Sequence, residues 1–216
     1  GSSVREVDPN APKIDAYTLS RPVPKGQKID FFISHSWHDA AAPKVRELKK
    51  FAENFKAENG RGPTFWFDKV CISQSNIGLG LKLLPINLMS SDGLLVLCGE
   101  TYARRLWCVW ELFTVFTFSD LAATLETISL VPLAVNVPPE NSTDVGDGTD
   151  VVDDVVVTLE DMCKFDVVNA KCFDPNEERK LLTVIDEVGR DKFHSSIRQL
   201  SRCCLDRYNA DVEMAK

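Results

Sequence analysis

The chain has 216 residues, 44% hydrophobic and 26% charged, an ordinary globular profile that excludes collagen-like, fibrous and fully disordered readings. Its 25 Lys and Arg against 32 Asp and Glu leave a net charge of −7. That balance opposes a nucleic-acid binder or an anionic-membrane binder, both of which carry a basic footprint. The 7 cysteines are scattered and include no C-x-x-C pair, which argues against a zinc ribbon or a thioredoxin motif. Several sit in apolar runs, where a reduced thiol behaves as a small hydrophobe, so a reducing, cytoplasmic compartment is expected. No apolar run approaches the roughly 18 residues of a membrane span.

Residues 1–28 open with Gly1-Ser2-Ser3, which reads as a cloning scar, and carry Pro9, Pro12, Pro22, Pro24 and Gly26 in an extended lead-in. Ile29-Asp30-Phe31-Phe32-Ile33 predicts a first strand that stops at Ser34-His35-Ser36. Val45, Leu48, Phe51, Ala52 and Phe55 recur at helical spacing, and Gly60 ends that helix. Pro63-Thr64-Phe65-Trp66-Phe67 is a second strand closed by Asp68-Lys69, and a polar loop leads to a helix bearing Leu79, Leu83, Ile86 and Leu88. Gly93 to Cys98 is a third strand, apolar at Leu94, Leu95, Val96 and Leu97 alike. Such continuity implies burial on both faces, as in a parallel sheet covered by helices.

A helix from about Ala103 to Phe118 follows, with Val109, Leu112, Phe113 and Phe116 as its core stripe, and then a fourth strand over Ile128 to Leu133. Glu177 to Tyr208 is helical with a break near Gly189-Arg190, and 209–216 is a tail. Between Arg105 and Lys164 there is no Lys or Arg, and Pro138 to Asp161 is strongly acidic. That stretch, about 136–161, is expected to be a solvated insertion rather than a cation site, since its spacing is not that of an EF-hand. The alternation of strands and helices predicts one α/β domain over 29–208 with a parallel sheet.

Several chemistries have no motif here: no phosphate loop, no G-x-G-x-x-G, no H-E-x-x-H, no G-x-S-x-G elbow. His35 and His38 are three apart with Asp39 beside them, but their segment reads as a strand-end loop with no further ligand evident, so no metal is expected. In an open α/β sheet, ligands sit beyond the carboxyl ends of the strands. Those ends are followed here by Ser34-His35-Ser36-Trp37-His38-Asp39, by Asp68-Lys69-Val70-Cys71 and by Gly99-Glu100-Thr101-Tyr102. On the helix after the third strand, Glu111 lies about 150° from the centre of the apolar stripe. Trp107 shares its face and Trp110 adjoins it. Two readings stay open: a surface carboxylate with aromatics packed under a neighbour, or a pocket wall in which indoles stack a flat heterocycle and the carboxylate faces developing positive charge.

Ile29 to Ser36, then Phe65-Trp66-Phe67-Asp68-Lys69, then Tyr102 through Trp107-Cys108-Val109-Trp110-Glu111-Leu112 together resemble the Toll/interleukin receptor (TIR) domain, closest in pattern to plant and microbial NAD-cleaving members. The resemblance spans roughly Ile29 to Phe118. It implies a flavodoxin-like three-layer sandwich with five parallel strands in the order 2-1-3-4-5. It also implies hydrolysis of the nicotinamide–ribose bond, with NAD as substrate rather than cofactor, and self-association through TIR–TIR contacts. Glu111 stands at the family's essential glutamate and Trp107 at the aromatic one turn before it. On this reading Trp107 and Trp110 line the nicotinamide side, Ser34, His35, Ser36 and Trp37 the ribose or phosphate side, and Asp68 and Lys69 the adjoining loop. The sequence departs from the pattern in three places. Cys71-Ile72-Ser73-Gln74 lacks the usual glycine or proline of the loop after the second strand. His35 and Trp37 stand where several members carry Arg, and the acidic insertion is foreign to the family. The alternatives are a non-catalytic TIR assembly module and, further off, a nucleoside deoxyribosyltransferase-like enzyme.

Overall fold

A computed structural model describes residues 15–72, 77–118, 121–134 and 159–214. Four strands, β1 (Ile29–His35), β2 (Phe65–Phe67), β3 (Ser91–Cys98) and β4 (Ile128–Pro132), form one parallel sheet in the order β2-β1-β3-β4. The central pair is in register from Ile29 opposite Ser91 to His35 opposite Leu97. The helices are α1 (Ala41–Asn59), a one-turn α2 (Asp68–Cys71), α3 (Ile77–Met89), α4 (Leu106–Phe118), α5 (Leu121–Thr127), α6 (Pro175–Val188) and α7 (Arg190–Met214).

The order 2-1-3-4 matches expectation, but the described residues hold four strands rather than five. The chain after β4 is next described in a short helical stretch at 159–163 and a 3-10 turn at Val167–Asn169. Lys171 then pairs with Arg105 instead of with β4: its N–H donates to Arg104 O at 2.8 Å, and Leu106 N–H donates to Lys171 O at 3.1 Å. This bridge fastens the start of α4 to the segment before α6. Of the expected acidic insertion, 136–158 lie outside the described residues. At its end Leu159 is fully buried in the helical stretch, while the acidic Glu160 and Asp161 are exposed.

Apolar continuity in β3 has the predicted consequence. Leu94, Leu95, Val96 and Leu97 are each at most 2% exposed. Leu95 and Leu97 join Ile33 against Leu48 and Phe51 of α1, whereas Leu94 and Val96 join Phe32 and Trp66 against α3, α4, α6 and α7. Helices therefore cover both faces, giving three layers. Phe32 stacks on Trp66 at 4.5 Å across the β1–β2 ladder, and Phe193 of α7 meets Phe113 edge-on at 4.8 Å. A buried aromatic of this kind contributes about 1.5–3 kcal/mol by burial alone.

The punctuation signals also hold. Gly60, at φ 69°, caps α1 through its N–H to Lys56 O, and Gly189, at φ 100°, separates α6 from α7. A Cβ disfavours such positive φ. The Asp174 side chain caps α6 by accepting from Asn176 N–H, with Pro175 in the first turn. Several boundaries differ from expectation, among them the end of β1 at His35 and the start of α4 at Leu106. Asp68 to Cys71 is a helical turn rather than a loop, and α7 continues past Tyr208 to Met214. Among the described residues no helix is long and apolar enough to cross a membrane, and all 7 cysteines are free thiols.

Candidate active site

Two segments close over the carboxyl ends of β1 and β3. Asp39, just beyond β1, accepts at Oδ1 from Thr101 N–H (3.0 Å) and Thr101 Oγ1 (2.7 Å), which ties the two exits together. Because the Thr101 hydroxyl proton is given to Asp39, Ser36 Oγ donates to Thr101 Oγ1 (2.6 Å) while accepting from His38 N–H (3.2 Å). Asp39 can approach this closely only because residue 99 is glycine. A Cβ there would stand 2.4 Å from Asp39 Oδ2, a buried oxygen with no hydrogen-bond partner.

The clamp sets α4 so that Glu111 reaches β1. The Glu111 residue is 8% exposed and its carboxyl accepts a very short hydrogen bond from Ser34 Oγ, or donates to it, depending on where the proton lies. Ser34 is also 2.6 Å from Tyr102 Oη, and Tyr102 Oη donates to Cys108 O at 3.2 Å. Ser34 and Tyr102 are both fully buried. Burial pushes the Glu111 carboxyl well above the usual carboxylate range. The Ser34 hydrogen bond opposes that shift and the nearby Asp68 charge reinforces it. Burial likewise pushes the Tyr102 phenol and the Cys108 thiol up. Cys108 Sγ points to His35 O at 3.4 Å, so this thiol packs and donates weakly rather than reacting.

A second cluster lies at the end of β2. Asp68 takes His35 Nε2 at 3.1 Å on one oxygen and Trp37 Nε1 at 2.7 Å on the other. Lys44, half-buried on α1, donates to Ser36 O at 2.8 Å and stands 3.5 Å from His35 Nδ1. An ammonium only donates, so Nδ1 accepts and the ring proton sits on Nε2, facing Asp68. Burial lowers the Lys44 ammonium, against the opposing pull of Asp39 and Asp68.

The structure therefore joins Ser34 with Glu111, and His35 with Trp37 and Asp68. It does not bring the rest together as expected. Ser36 is spent on the Thr101 clamp. The Lys69 side chain is exposed, and only its backbone N–H reaches Asp68. Trp110 leans on Phe113 at 5.8 Å, and Trp107 and Trp110 both pack against the main core. No hydrogen bond or ring contact joins either indole to Glu111 among the described residues. The expectation that Glu111 would project from the side of α4 away from the core is also corrected. Cys108, Val109, Glu111, Leu112, Phe113 and Thr114 are all buried, because β1, α3, α6 and α7 pack around this helix. A helix buried nearly all round has no solvent side for a periodicity argument to find.

Tyr102, Cys108, Thr101, Asp39 and Lys44 complete the site, and no motif or spacing in the sequence marks them for roles in it. Gly99 facing Asp39 was the available signal, a glycine directly after a buried strand. Clefts of about 1000, 390 and 580 Å³ lie between the lead-in and β1–β2, between α1 and β4, and along α7, and Glu111 lines none of them. Among the described residues no three or more His, Cys, Asp or Glu side chains are placed to hold a metal ion. Scanned against protein-family models, curated proteins and solved structures, the chain matches none of them.

Proposed function

We propose that this chain is a flavodoxin-like, TIR-type NAD glycohydrolase with Glu111 as its catalytic carboxyl. The observation that carries the reading is the position of Glu111, buried at the carboxyl end of β1 and held by Ser34, with Asp68 acting on it from the neighbouring strand end. Ligands of open α/β sheets bind at this rim, and the Glu111 carboxyl, which no Lys, Arg or His pairs with among the described residues, suits a cationic pyridinium. The reaction breaks the C1′–N bond. The bonding pair leaves with nicotinamide, which departs neutral, and water adds to C1′ with loss of one proton. No acid is needed for the leaving group, in contrast to two-carboxylate glycosidases. One carboxylate facing the oxocarbenium-like ribose supplies the electrostatic term. Trp37, 56% exposed with its Nε1 anchored on Asp68, offers a flat face at the rim for the nucleotide.

Purified protein incubated with NAD is expected to release nicotinamide, and Glu111→Gln to abolish the release with folding intact. Turnover unchanged by that substitution would remove Glu111 from the chemistry. Self-association belongs to the same reading and predicts specific activity that rises with protein concentration. The burial of Glu111 itself favours a second reading, a non-catalytic assembly module in which the carboxyl only fastens α4 to β1. Partner binding without nicotinamide release at high protein concentration would select it.

A further inference from the structure

Four buried oxygens form a line: Glu111 carboxyl, Ser34 Oγ, Tyr102 Oη and Cys108 O. They make three contacts, and each contact needs one hydrogen. Ser34 and Tyr102 supply one each. With Glu111 ionised there are two hydrogens for three contacts, and the contact to Cys108 O is left empty if Tyr102 turns toward Ser34. With a proton on Glu111 every contact is filled in one direction, from carboxyl to Ser34 to Tyr102 to the Cys108 carbonyl. The surroundings agree with this count. No Lys, Arg or His forms an ion pair with Glu111 among the described residues. The groups that face it are Ser34 from β1, Tyr102 from the turn before α4, Cys108 from α4 itself and the acidic Asp68 from α2. A buried carboxylate without a cation is strongly disfavoured.

We infer that Glu111 rests as a neutral acid at the head of a hydroxyl chain, that Tyr102 is the positioning residue fixing that chain through Ser34, and that binding of a cationic pyridinium reverses the chain and expels the proton. The last clause rests on the NAD reading above, while the resting acid and the role of Tyr102 do not. On reversal, Tyr102 O–H donates to Ser34, Ser34 O–H donates to the carboxylate, the Cys108 contact is given up, and one proton passes to solvent. The positive charge of the ring replaces the proton as the partner of Glu111, so the group is uncharged while the site is empty and anionic only beside its ligand. Hydrogen bonds to an ionised acceptor are the stronger kind, so the reversed chain stabilises the carboxylate more than the resting chain stabilises the acid. Removing the phenol therefore favours the acid.

The resting state is read by infrared difference spectroscopy of the free protein against Glu111→Gln, with ¹³C-labelled glutamate to identify the band. A protonated-carboxyl band at neutral pH that bleaches as pH rises is expected. Tyr102→Phe keeps the buried ring and should move the bleaching to higher pH, and Ser34→Ala should move it further the same way. Absence of the band in the wild type, or an unmoved titration in both variants, overturns the inference whatever the protein does to NAD. A purely packing role for Tyr102 would not move that titration. Should Tyr102→Phe fail to fold, Ser34→Ala carries the same comparison. Coupling is read by calorimetry with N1-methylnicotinamide, a pyridinium that cannot be cleaved, in two buffers of different ionisation enthalpy. About one proton released per cation bound by the wild type, and none by Glu111→Gln, is expected. Binding without release overturns the switch and leaves the NAD reading standing. No binding, with the acid band present, overturns both the switch and the NAD reading and leaves the hydroxyl chain standing.

Discussion

Replacing Glu111 with Gln should change how stability depends on pH. Glutamine keeps the shape of the neutral acid, and its amide can donate to Ser34 Oγ as the carboxylic proton would, but it does not titrate. In the wild type, burial raises the Glu111 carboxyl well above its ordinary value. The unfolded chain has an ordinary glutamate, near pH 4.3. Between that value and the folded-state one, the native protein holds a proton that the unfolded chain has lost. The difference in bound protons, unfolded minus native, is then −1, so stability falls with pH by about 1.4 kcal/mol per unit. The contribution is fully present below the unfolded value and is lost as pH rises through the folded one. Other titrating groups are common to both proteins and cancel in the comparison.

Urea unfolding of wild type and Glu111→Gln at pH 5, 6 and 7 measures that difference directly. The variant should gain on the wild type by up to about 2.8 kcal/mol between pH 5 and 7, a large share of the roughly 5–15 kcal/mol that holds a domain together. Near pH 4 the two should be nearly equal. Parallel stability curves from pH 5 to 7 would refute the reasoning, because an ionised Glu111 at rest leaves no proton to lose. A variant less stable than the wild type at every pH would point instead to a carboxylate that the fold depends on.

Two further perturbations probe the scaffold. Gly99→Ala places a Cβ 2.4 Å from Asp39 Oδ2, so the loop must shift. Thermal or urea unfolding should show a loss of about 1–3 kcal/mol, and nicotinamide release should fall with it, since the same clamp aims α4. Asp30→Ala removes the acceptor of Thr64 N–H and Thr64 Oγ1, both at 2.7 Å, and should cost about 1–3 kcal/mol at neutral pH. The Arg61 guanidinium, then burial working against it, then Thr64 leave the Asp30 carboxyl well below the usual range. Its contribution is therefore present above the unfolded value near 3.9 and is lost as pH falls toward the folded one. The deficit of Asp30→Ala should shrink in acid, and a deficit that grows there would contradict the assignment.

The elements that were legible in the sequence share a local cause. Leu94 to Leu97 announce a strand buried on both faces, Gly60 and Gly189 announce helix ends, and Val109, Leu112 and Phe113 announce one face of α4, because propensity and periodicity act within a few residues. Glu111 could be singled out for the same reason, as an acid inside an apolar helix. Its environment could not, because that depends on β1, 77 residues earlier, and on how completely α7 closes the far side of α4.

The same limit applies to Trp107 and Trp110, which are half-buried and make no ring contact or hydrogen bond with Glu111 among the described residues. Shared helical phase with Glu111 fixes an angle about the axis but says nothing of what lies opposite. Here the two indoles pack against the core while the carboxyl turns to Ser34. Tyr102 shows the converse. It sits in a polar turn where a strand exit would be expected to face water, yet it is fully buried, because the Asp39–Thr101 clamp and the Lys171–Arg105 pairing fold that turn inward. Once a phenol is buried its hydroxyl must find a partner, and the partner it finds is the serine that holds Glu111. Backbone ties far from the carboxyl thereby select which side chains can reach it, so substitutions in those ties should alter the proton on Glu111 without touching it.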